Sequence, residues 1–398
     1  MAKYRFGDIC KVLNGRAYKQ NELLASGKYP ILRVGNFFSS DRWYYSDMEL
    51  PEDKYCDYED LLFAWSASFG PKIWDGEKVI YHYHIWKLIP NDDIADKWYL
   101  YYWLRHSVNR LTAGTHGSVM AHMTKGDMEN QSIELPSLQT QRKISSILRT
   151  IDEKIHNNVA INNNLLEQIK TICTAWLSEY KPFDGVMPSD WVETPLSDIA
   201  EFISGYSYKG TELTDSTIAM ATIKNFDRKG GFKLDGYKEI IPSSKLKESQ
   251  HAELFDTLVA HTDLTQNAEV IGNAEPVMSK SGYDDIVFSM DLVKVLPKKD
   301  GVSKFLIAAI LQDKKFKAHC LGYVNGTTVL HLSKKALPEY KLLLPSDFST
   351  LKPLDEVVTA LYKQVSSNIS ENTYLEELRE SLLPKLMSGE LDVSNIEL

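Results

Sequence analysis

The clearest pattern of apolar and polar positions lies between Pro136 and Pro182, a stretch that contains neither Pro nor Gly. Apolar residues recur there at alternating spacings of four and three, which is the repeat of a coiled-coil helix. The repeat consists of Ile144, Leu148, Ile151, Ile155, Asn158, Asn162, Leu165, Ile169, Ile172 and Trp176. The pattern predicts one long helix whose seam is interrupted by two asparagines.

A second seam of the same kind runs between Pro353 and Pro384, where Arg379 takes the place of Ile169. Its other positions are Leu354, Val358, Leu361, Val365, Asn368, Asn372 and Leu375. A buried asparagine on such a seam costs stability and usually fixes register or partner, so two equivalent pairs suggest helices that recognise each other. The predicted helix-pairing residues are Asn158, Asn162, Asn368 and Asn372. The alternative is two unrelated amphipathic core helices.

The seams are part of a duplication that covers the whole chain. The segment Asn14–Lys19 recurs as Ser204–Lys209, with Gly15 and Gly205 at the same place. Gly117–Lys125 recurs as Gly326–Lys334, and the order of the matching segments is the same in both halves. Such long-range self-similarity indicates a duplicated architecture.

Each half begins with a mixed region ahead of its long helix. Short runs typical of strands, punctuated by Gly, Pro, Asn and Asp, occupy 31–34, 61–65, 79–88, 257–260 and 286–296. Helical stretches are predicted at 98–111 and, in parallel, at 304–319. Both mixed regions are therefore expected to be α+β.

Composition narrows the class of protein. The 398 residues suggest two or three domains, and no window approaches the 18 apolar residues of a membrane span. The start has no signal-peptide core and the four cysteines show no C-x-x-C pair, so a cytoplasmic protein without membrane contact or disulfides is expected. The net charge of −9 disfavours a nucleic-acid binder that works without local basic faces or a basic partner.

Specific strings connect the chain to a known family. Leu135–Ile144 reads L-P-S-L-Q-T-Q-R-K-I at the start of the first long helix, and the similarity continues through Ile161–Glu167 and Leu382–Leu391. In these segments the chain resembles the specificity (S) subunit of type I restriction-modification enzymes. The second helix departs from the pattern, because the segment from Leu344 to Leu354 lacks the Q-R-K-I string.

The resemblance implies a fold and a division into domains. The fold class is α+β: two pseudo-repeated, mixed α/β target recognition domains, each followed by a long helix, with the two helices in an antiparallel coiled coil. The expected boundaries are 1–138 and 181–350 for the first and second target recognition domains, 139–180 and 351–390 for the helices, and 391–398 for a C-terminal tail.

It also implies a DNA-reading subunit without catalysis of its own. The partners would be double-stranded DNA, two methyltransferase (M) subunits and, in a full complex, two restriction (R) subunits. Residues 139–177 would span about 58 Å as a helix, more than one ~34 Å turn of B-DNA, so the helices would space two unlike half-sites. The alternatives are a specificity subunit of a methylation-only complex, a coiled-coil adaptor that binds no DNA, and a self-sufficient nuclease.

Motifs for chemistry are missing from the sequence. It contains no N-P-P-F or D-P-P-Y string for amino-methylation and no G-x-x-x-x-G-K-[ST] phosphate loop, so we expect no catalytic residues and no cofactor. His82 and His84 would share one face of a strand and could bind a metal. An ordinary strand face is favoured because the second half has Phe288-Ser289-Met290-Asp291 there, so no metal site is expected.

Loops that the two halves share are the expected DNA-reading surfaces, since bases are read by polar side chains and phosphates are held by cations. The alternative for each residue taken alone is an ordinary solvated turn residue without a role in binding. The candidates in the first half are Asn14, Arg16, Tyr18, Lys19, Lys72, Thr115, His116 and Ser118. Those in the second half are Ser204, Tyr206, Tyr208, Lys209, Arg228, Lys229, Asn325 and Thr327.

Overall fold

The computed structural model describes residues 1–38, 42–112, 123–393 and 396. The chain divides into two compact units. The first combines Met1–Glu153 with Leu375–Leu398, and the second is Lys154–Tyr374. Each unit therefore contains parts of both long helices.

The first unit begins with short strands and helices and leads into the first long helix, α5 (Leu138–Leu177). Its other elements are β1 (Ala2–Arg5), α1 (Phe6–Ile9), β2 (Cys10–Asn14), β3 (Tyr29–Leu32), α2 (Val34–Phe38), β4 (Tyr45–Ser46), β5 (Tyr55–Cys56), β6 (Leu61–Ser66), β7 (Ser68–Ile73), β8 (Val79–Tyr81), β9 (Ile85–Pro90), α3 (Lys97–Thr112), α4 (Lys125–Glu129) and β10 (Ser132–Leu135).

Three small sheets build the first unit. One has the antiparallel order β2-β9-β6-β7, and another has the order β4-β3-β8-β5 with β3 and β8 parallel. The third pairs β1 with β10 just before α5 begins. The core joins Phe6, Trp86 and Tyr99 to Leu148 of α5 and to Leu386 near the C-terminus, so both long helices complete it.

The second unit repeats this order and leads into the second long helix, α10 (Lys352–Ser388). Its other elements are β11 (Trp191–Pro195), α6 (Leu196–Ile199), β12 (Ala200–Ser204), β13 (Ile218–Ala221), β14 (Lys238–Glu239), β15 (Thr257–Ala260), β16 (Thr262–Asp263), β17 (Ala274–Pro276), β18 (Asp285–Phe288), β19 (Leu292–Pro297), α7 (Lys304–Leu311), α8 (Lys314–Leu321), β20 (Val324–Asn325), β21 (Leu330–Leu332), α9 (Ala336–Glu339) and β22 (Lys341–Pro345).

Among the described residues, three sheets of the second unit correspond to those of the first, and a further sheet of the second unit has the order β16-β21-β20. The order β12-β19-β15-β17 corresponds to β2-β9-β6-β7, the parallel pair of β13 and β18 corresponds to β3 and β8, and β11 pairs with β22 as β1 does with β10. The second core contains Ile169 of α5 together with Leu354, Val358 and Tyr362 of α10. The predicted fold class is confirmed.

Repeat-equivalent glycines show how closely the two frames agree. A Cβ atom on Gly15 would lie 2.4 Å from the carbonyl oxygen of His82, and one on Gly205 would lie 2.0 Å from that of Ser289. Each glycine precedes an isolated parallel bridge, Arg16 with His82 and Tyr206 with Ser289. Only a residue without a side chain allows the two backbones to approach this closely.

The ends of the long helices follow from local sequence. Ser137 precedes α5, and its hydroxyl oxygen accepts a hydrogen bond from the backbone N–H of Thr140, as an N-cap does. Pro353 is the second residue of α10, a position where the missing N–H has no partner within the helix. Gly389, at φ +77°, follows the last residue of α10.

Several strand and helix predictions were too long. The predicted strand 79–88 is two strands, β8 and β9, with a turn at residues 82–84, so the prediction that His82 and His84 share a strand face is wrong. Residues 286–296 and 304–319 are likewise divided, into β18 and β19 and into α7 and α8. The pattern along the sequence cannot reveal where these elements are interrupted, because contacts with distant parts of the chain decide it.

Candidate nucleic-acid interface

The four seam asparagines meet in two cross-helix pairs inside the second unit. The side-chain amide of Asn158 donates to the Asn372 oxygen at 2.8 Å, and that of Asn368 donates to the Asn162 oxygen at 2.8 Å. Asn158 also donates to Glu371 at 2.7 Å. The numbering of the partners falls on α10 as it rises on α5, so the helices are antiparallel. Asn158, Asn162 and Asn368 are buried and Asn372 is half-buried, and the four amides hydrogen-bond to one another in pairs.

On the α5 side, Asn158 is 1% exposed and Asn162 is 8% exposed. A buried amide that lost its partner would keep the full cost of its desolvation. Any slip of one helix by a turn would separate both pairs, so the geometry suits a register-setting role.

Beyond the asparagines, in opposite directions along the long helices, the two units differ. In the first unit the hydroxyl of Tyr102 donates to Asp152 at 2.6 Å, and the Arg379 guanidinium donates to the other Asp152 oxygen at 2.5 Å. The Arg379 side chain is only 12% exposed. At the equivalent place of the second unit, Ile169 is buried in the apolar core. The presence of a charged residue at this seam position of α10 is therefore explained by its ion pair with Asp152 on α5.

The predicted DNA-reading loop after β2 places Arg16, Tyr18 and Lys19 together. Arg16 forms a two-pronged ion pair with Glu22, with distances of 2.8 and 3.1 Å. Its guanidinium carbon lies 5.1 Å from the centre of the Tyr18 ring. Asn14 and Lys19 are exposed, and the Asn14 carbonyl accepts a hydrogen bond from Lys54. The loop therefore offers a cation and polar groups on a rigid base.

Electrostatics in this loop favour the ion pair. The Arg16 guanidinium and the Lys19 backbone N–H hold the pKa of Glu22 down at about 2. The same pair raises the pKa of Arg16. Burial raises the pKa of Tyr18, so its hydroxyl keeps its proton at physiological pH.

The remaining first-unit candidates are placed unevenly. Lys72 lies on β7, 3.6 Å from Asp75 and with its ammonium 5.5 Å from the centre of the Trp74 ring. Thr115, His116 and Ser118 lie outside the residues that the structure describes.

The equivalent loop of the second unit is organised around a tyrosine instead of an arginine. Tyr206 is 2% exposed, and its hydroxyl donates to Glu212 at 2.7 Å. Ser204 and Lys209 are exposed, and Tyr208 is half-buried beside Tyr206. The exposed groups of this loop are therefore Ser204 and Lys209, whereas Tyr206 supports the loop from below.

Arg228 and Lys229 project from a tight loop, residues 227–231, which we call the basic loop. Both are exposed, and Arg228 contacts Glu269 at 3.2 Å. Gly230 and Gly231 have φ of +94° and +113°, which residues with side chains rarely adopt. The two glycines thus allow the turn that presents the cations.

Asn325 and Thr327 lie on and beside β20, at the other end of the chain's second repeat. Both are exposed. The Asn325 amide donates to the Tyr323 carbonyl at 3.2 Å, and the Thr327 carbonyl accepts from Gln266. Side chains of this kind can read base edges or contact phosphates.

Sequence reasoning missed an aromatic cluster in the first unit, at the turn between β8 and β9. The His82 and His84 rings are 4.8 Å apart, Tyr83 is 39% exposed, and the Trp65 ring lies 5.2 Å from His84. Burial, with His84 and Arg33 nearby, lowers the pKa of His82 to about 4, so it is neutral at pH 7. The aromatic residues are visible in the sequence as Tyr81-His82-Tyr83-His84, but their spacing alone predicts one continuous strand and not a turn.

Two absences in the described part of the chain bear on metal binding and on membrane insertion. Among the described residues, no group of three or more His, Cys, Asp or Glu side chains is placed to hold a metal ion. No helix in the described ranges has the length and apolar character to cross a bilayer.

Comparisons with known proteins agree with the repeated architecture. Residues 1–170 match the family model of the type I restriction modification DNA specificity domain. The MjaVIII specificity subunit of Methanocaldococcus jannaschii is 23% identical over 352 residues, which cover 85% of this chain and 80% of that protein. The MjaIX specificity subunit of the same organism is 22% identical and is covered to 72%.

A solved structure extends the likeness to the fold. The type I restriction-modification S subunit from M. genitalium superposes with a TM-score of 0.56 at 16% identity, covering 97% of this chain and 95% of that one. The family match, the relatives and the shared fold point the same way. Residues 1–170 match the type I restriction modification DNA specificity domain, and over most of its length the chain is similar to type I specificity subunits.

Proposed function

We propose that the chain reads a bipartite, asymmetric DNA site, with one recognition domain on each half-site. The observation that carries this is the repeated frame with unlike loops. Gly15 and Gly205 make the same close backbone approach, while Arg16 is replaced by Tyr206 at the position that follows. Equal frames with different side chains suit two half-sites of different sequence. The domain boundaries given above, at 138, 180, 350 and 390, are part of this proposal.

The long helices would set the distance between the half-sites. The 40 residues of α5 correspond to about 60 Å of helix, almost two turns of B-DNA. The paired asparagines would hold the register on which that distance depends. Bases between the half-sites would then form a gap of fixed length and unspecified sequence.

The similarity to type I specificity subunits supports DNA and methyltransferase subunits as partners. We propose two methyltransferase subunits, because the duplicated chain offers two similar surfaces, and two restriction subunits in a full complex. The partners would also supply the positive charge that a chain of net charge −9 lacks. We further propose that the protein acts in the cytoplasm, where it can reach chromosomal and incoming DNA.

The test uses the chain assembled with its methyltransferase subunits and a library of duplexes. We expect selection of two short, different half-sites at one spacing, with affinity that falls steeply with salt. Binding of DNA no better than by the methyltransferase alone would favour the adaptor alternative. Adding the restriction subunits and ATP separates a restriction complex from a methylation-only one, and cleavage by the isolated chain with magnesium would favour a nuclease.

A matched deletion tests the spacing. Removing residues 155–161 and 369–375 shortens both helices by one heptad and keeps the Asn162–Asn368 pair. The gap should shrink by about three base pairs, since seven helical residues span about 10 Å, while the half-sites stay the same. An unchanged gap, or altered half-sites, would contradict the spacing role.

A further inference from the structure

A buried carboxyl lies under the basic loop of the second unit. Glu275 on β17 is 7% exposed. One of its oxygens accepts a hydrogen bond from the Gly231 backbone N–H at 2.7 Å, and the other accepts from the Gln312 side chain at 2.8 Å. Gln312 in turn accepts from the hydroxyl of Tyr362 on α10 at 2.7 Å. The chain of contacts runs from the loop to a long helix.

Other contacts hold the same loop from its side. The Asn273 amide donates to the Asp227 carbonyl at 3.1 Å, and Lys317 donates to Asn273 at 2.6 Å. The turn closes on itself through two backbone hydrogen bonds, from the Asp227 N–H to the Gly231 carbonyl at 3.0 Å and from the Gly230 N–H to the Asp227 carbonyl at 3.1 Å. The Gly231 N–H is bound by Glu275 instead, and the two glycines have no side chains to pack, so this hydrogen bond attaches the Gly231 end of the turn to the protein frame.

We propose that Glu275 is a positioning residue for DNA recognition, which fixes the basic loop on the protein frame through Gly231 and links its position to α10 through Gln312 and Tyr362. This inference rests on the proposed reading of DNA by the second unit. Glu275 itself is covered by the loop, so it acts through Arg228 and Lys229 and not by touching DNA.

The charge of Glu275 makes the loop sensitive to pH. Burial raises the pKa of Glu275 to about 7, against the hydrogen bonds that lower it. A cavity of about 410 Å³ borders the loop. The charged and titratable groups around Glu275 there are Glu167 and Lys170 on α5, Asp227, Arg228 and Lys229 on the loop, Asp313, Lys314 and Lys317 at the start of α8, and Tyr362 on α10.

The direction of this pH dependence follows from the linkage between protonation of Glu275 and closure of the basic loop. With the loop closed, Glu275 binds its proton more tightly than a solvated glutamate of pKa 4.5. Closure is therefore favoured at low pH and is progressively weakened as the pH rises from about 4.5 through about 7. Between pH 6 and pH 8 the opening equilibrium should increase about tenfold.

A neutral side chain of the same shape should remove this dependence. In Glu275→Gln the side-chain oxygen can still accept from Gly231, and its amide can donate to Gln312 once the Gln312 amide turns over. In Glu275→Ala the Gly231 N–H loses its acceptor at every pH. Glu253→Gln is the matched control, because Glu253 is exposed in the same unit and contacts Lys280.

The first measurement is amide hydrogen exchange of residues 227–233 in the full chain without DNA, corrected for intrinsic rates. Wild type and Glu253→Gln should lose protection about tenfold from pH 6 to pH 8. Glu275→Gln should stay protected throughout, and Glu275→Ala should exchange fast throughout. Equal exchange in all four proteins would overturn the positioning role.

The second measurement is discrimination between second half-sites by the complex with methyltransferase subunits. The Glu275→Gln complex should discriminate between second half-sites as well as the wild-type complex at pH 6 and several-fold better than the wild-type complex at pH 8. Altered exchange without altered discrimination would overturn the link to recognition while leaving the proposed function intact. A wild-type complex that binds no DNA would overturn both, and that result differs from every result for the variants.

Discussion

The loop after β2 and the loop after β12 solve the same structural problem with different side chains. Glu22 and Glu212 are repeat-equivalent acceptors, but Glu22 binds the guanidinium of Arg16 and Glu212 binds the phenol of Tyr206. The Arg16 side chain is 31% exposed, whereas Tyr206 is 2% exposed. The two loops thus share the acceptor and the glycine that shape them, while the residue between these is a partly exposed cation in one unit and a buried support in the other.

The largest expected effect lies in the layer where the long helices differ. Ile169→Ala should lower the free energy of unfolding by about 2–4 kcal/mol through an apolar cavity. Arg379→Ala should cost about 2–3 kcal/mol, less than a fully buried pair, because Asp152 keeps partial solvent contact. Urea unfolding measures both. A loss of under 1 kcal/mol for Arg379→Ala would show that Asp152 does not depend on it.

Next come the glycines, where the two units should behave alike. Gly15→Ala and Gly205→Ala each force a Cβ against a carbonyl oxygen, so each should cost about 1–3 kcal/mol by displacing the backbone. Thermal unfolding checks the pair, with Gly210→Ala as a control whose added Cβ meets no neighbour within 4 Å. If only one of the two variants were destabilised, the two frames would differ in energy despite their similar geometry.

A smaller effect should distinguish two loops of the second unit on DNA, the basic loop and the loop after β12. Arg228, with 67% of its side chain exposed, would neutralise a phosphate. Arg228→Gln should weaken binding by the assembled complex a few-fold for all sequences and reduce the salt slope by about one. Tyr206→Phe, which changes a buried group, should leave the salt slope unchanged. A sequence-dependent loss in Arg228→Gln would instead indicate a base contact.

The smallest expected effect is on the stability of the fold at low pH. The depressed pKa of Glu22 means that its ion pair stabilises the fold above about pH 4.5 and that this contribution is lost as the pH falls toward about 2. Glu22→Gln should therefore narrow the gap in melting temperature between pH 6 and pH 3. Identical pH profiles for the two proteins would show that the pair contributes nothing measurable.

Periodicity predicted the long helices well because it reports a local, one-dimensional regularity. The seam positions of α5 and α10, including all four asparagines, could be obtained from spacing alone. Residues 79–88 show the opposite case, since β8 and β9 belong to different sheets but together show the same alternation as one long strand. The division of each unit between distant parts of the chain, such as Leu148 with Leu386, has no local signal at all.

The candidate site was predictable only as a set of loops. Exposed residues such as Lys19 and Lys209 follow from the repeat, but the burial of Tyr206 depends on Glu212 and Ser243, which approach it only in the folded unit. Glu275 could not be found, because a single acid in an ordinary strand segment carries no pattern. Its importance arises from the loop and the glutamine that cover it.

The sequence by itself determined the duplication, the two helical seams and the resemblance to type I specificity subunits, since each is written in the order and spacing of residues along the chain. Tertiary structure decided which polar groups are buried, which are paired and which face solvent. The physical reason is that burial and hydrogen bonding depend on neighbours that are distant in sequence, as for Asp152 and Arg379.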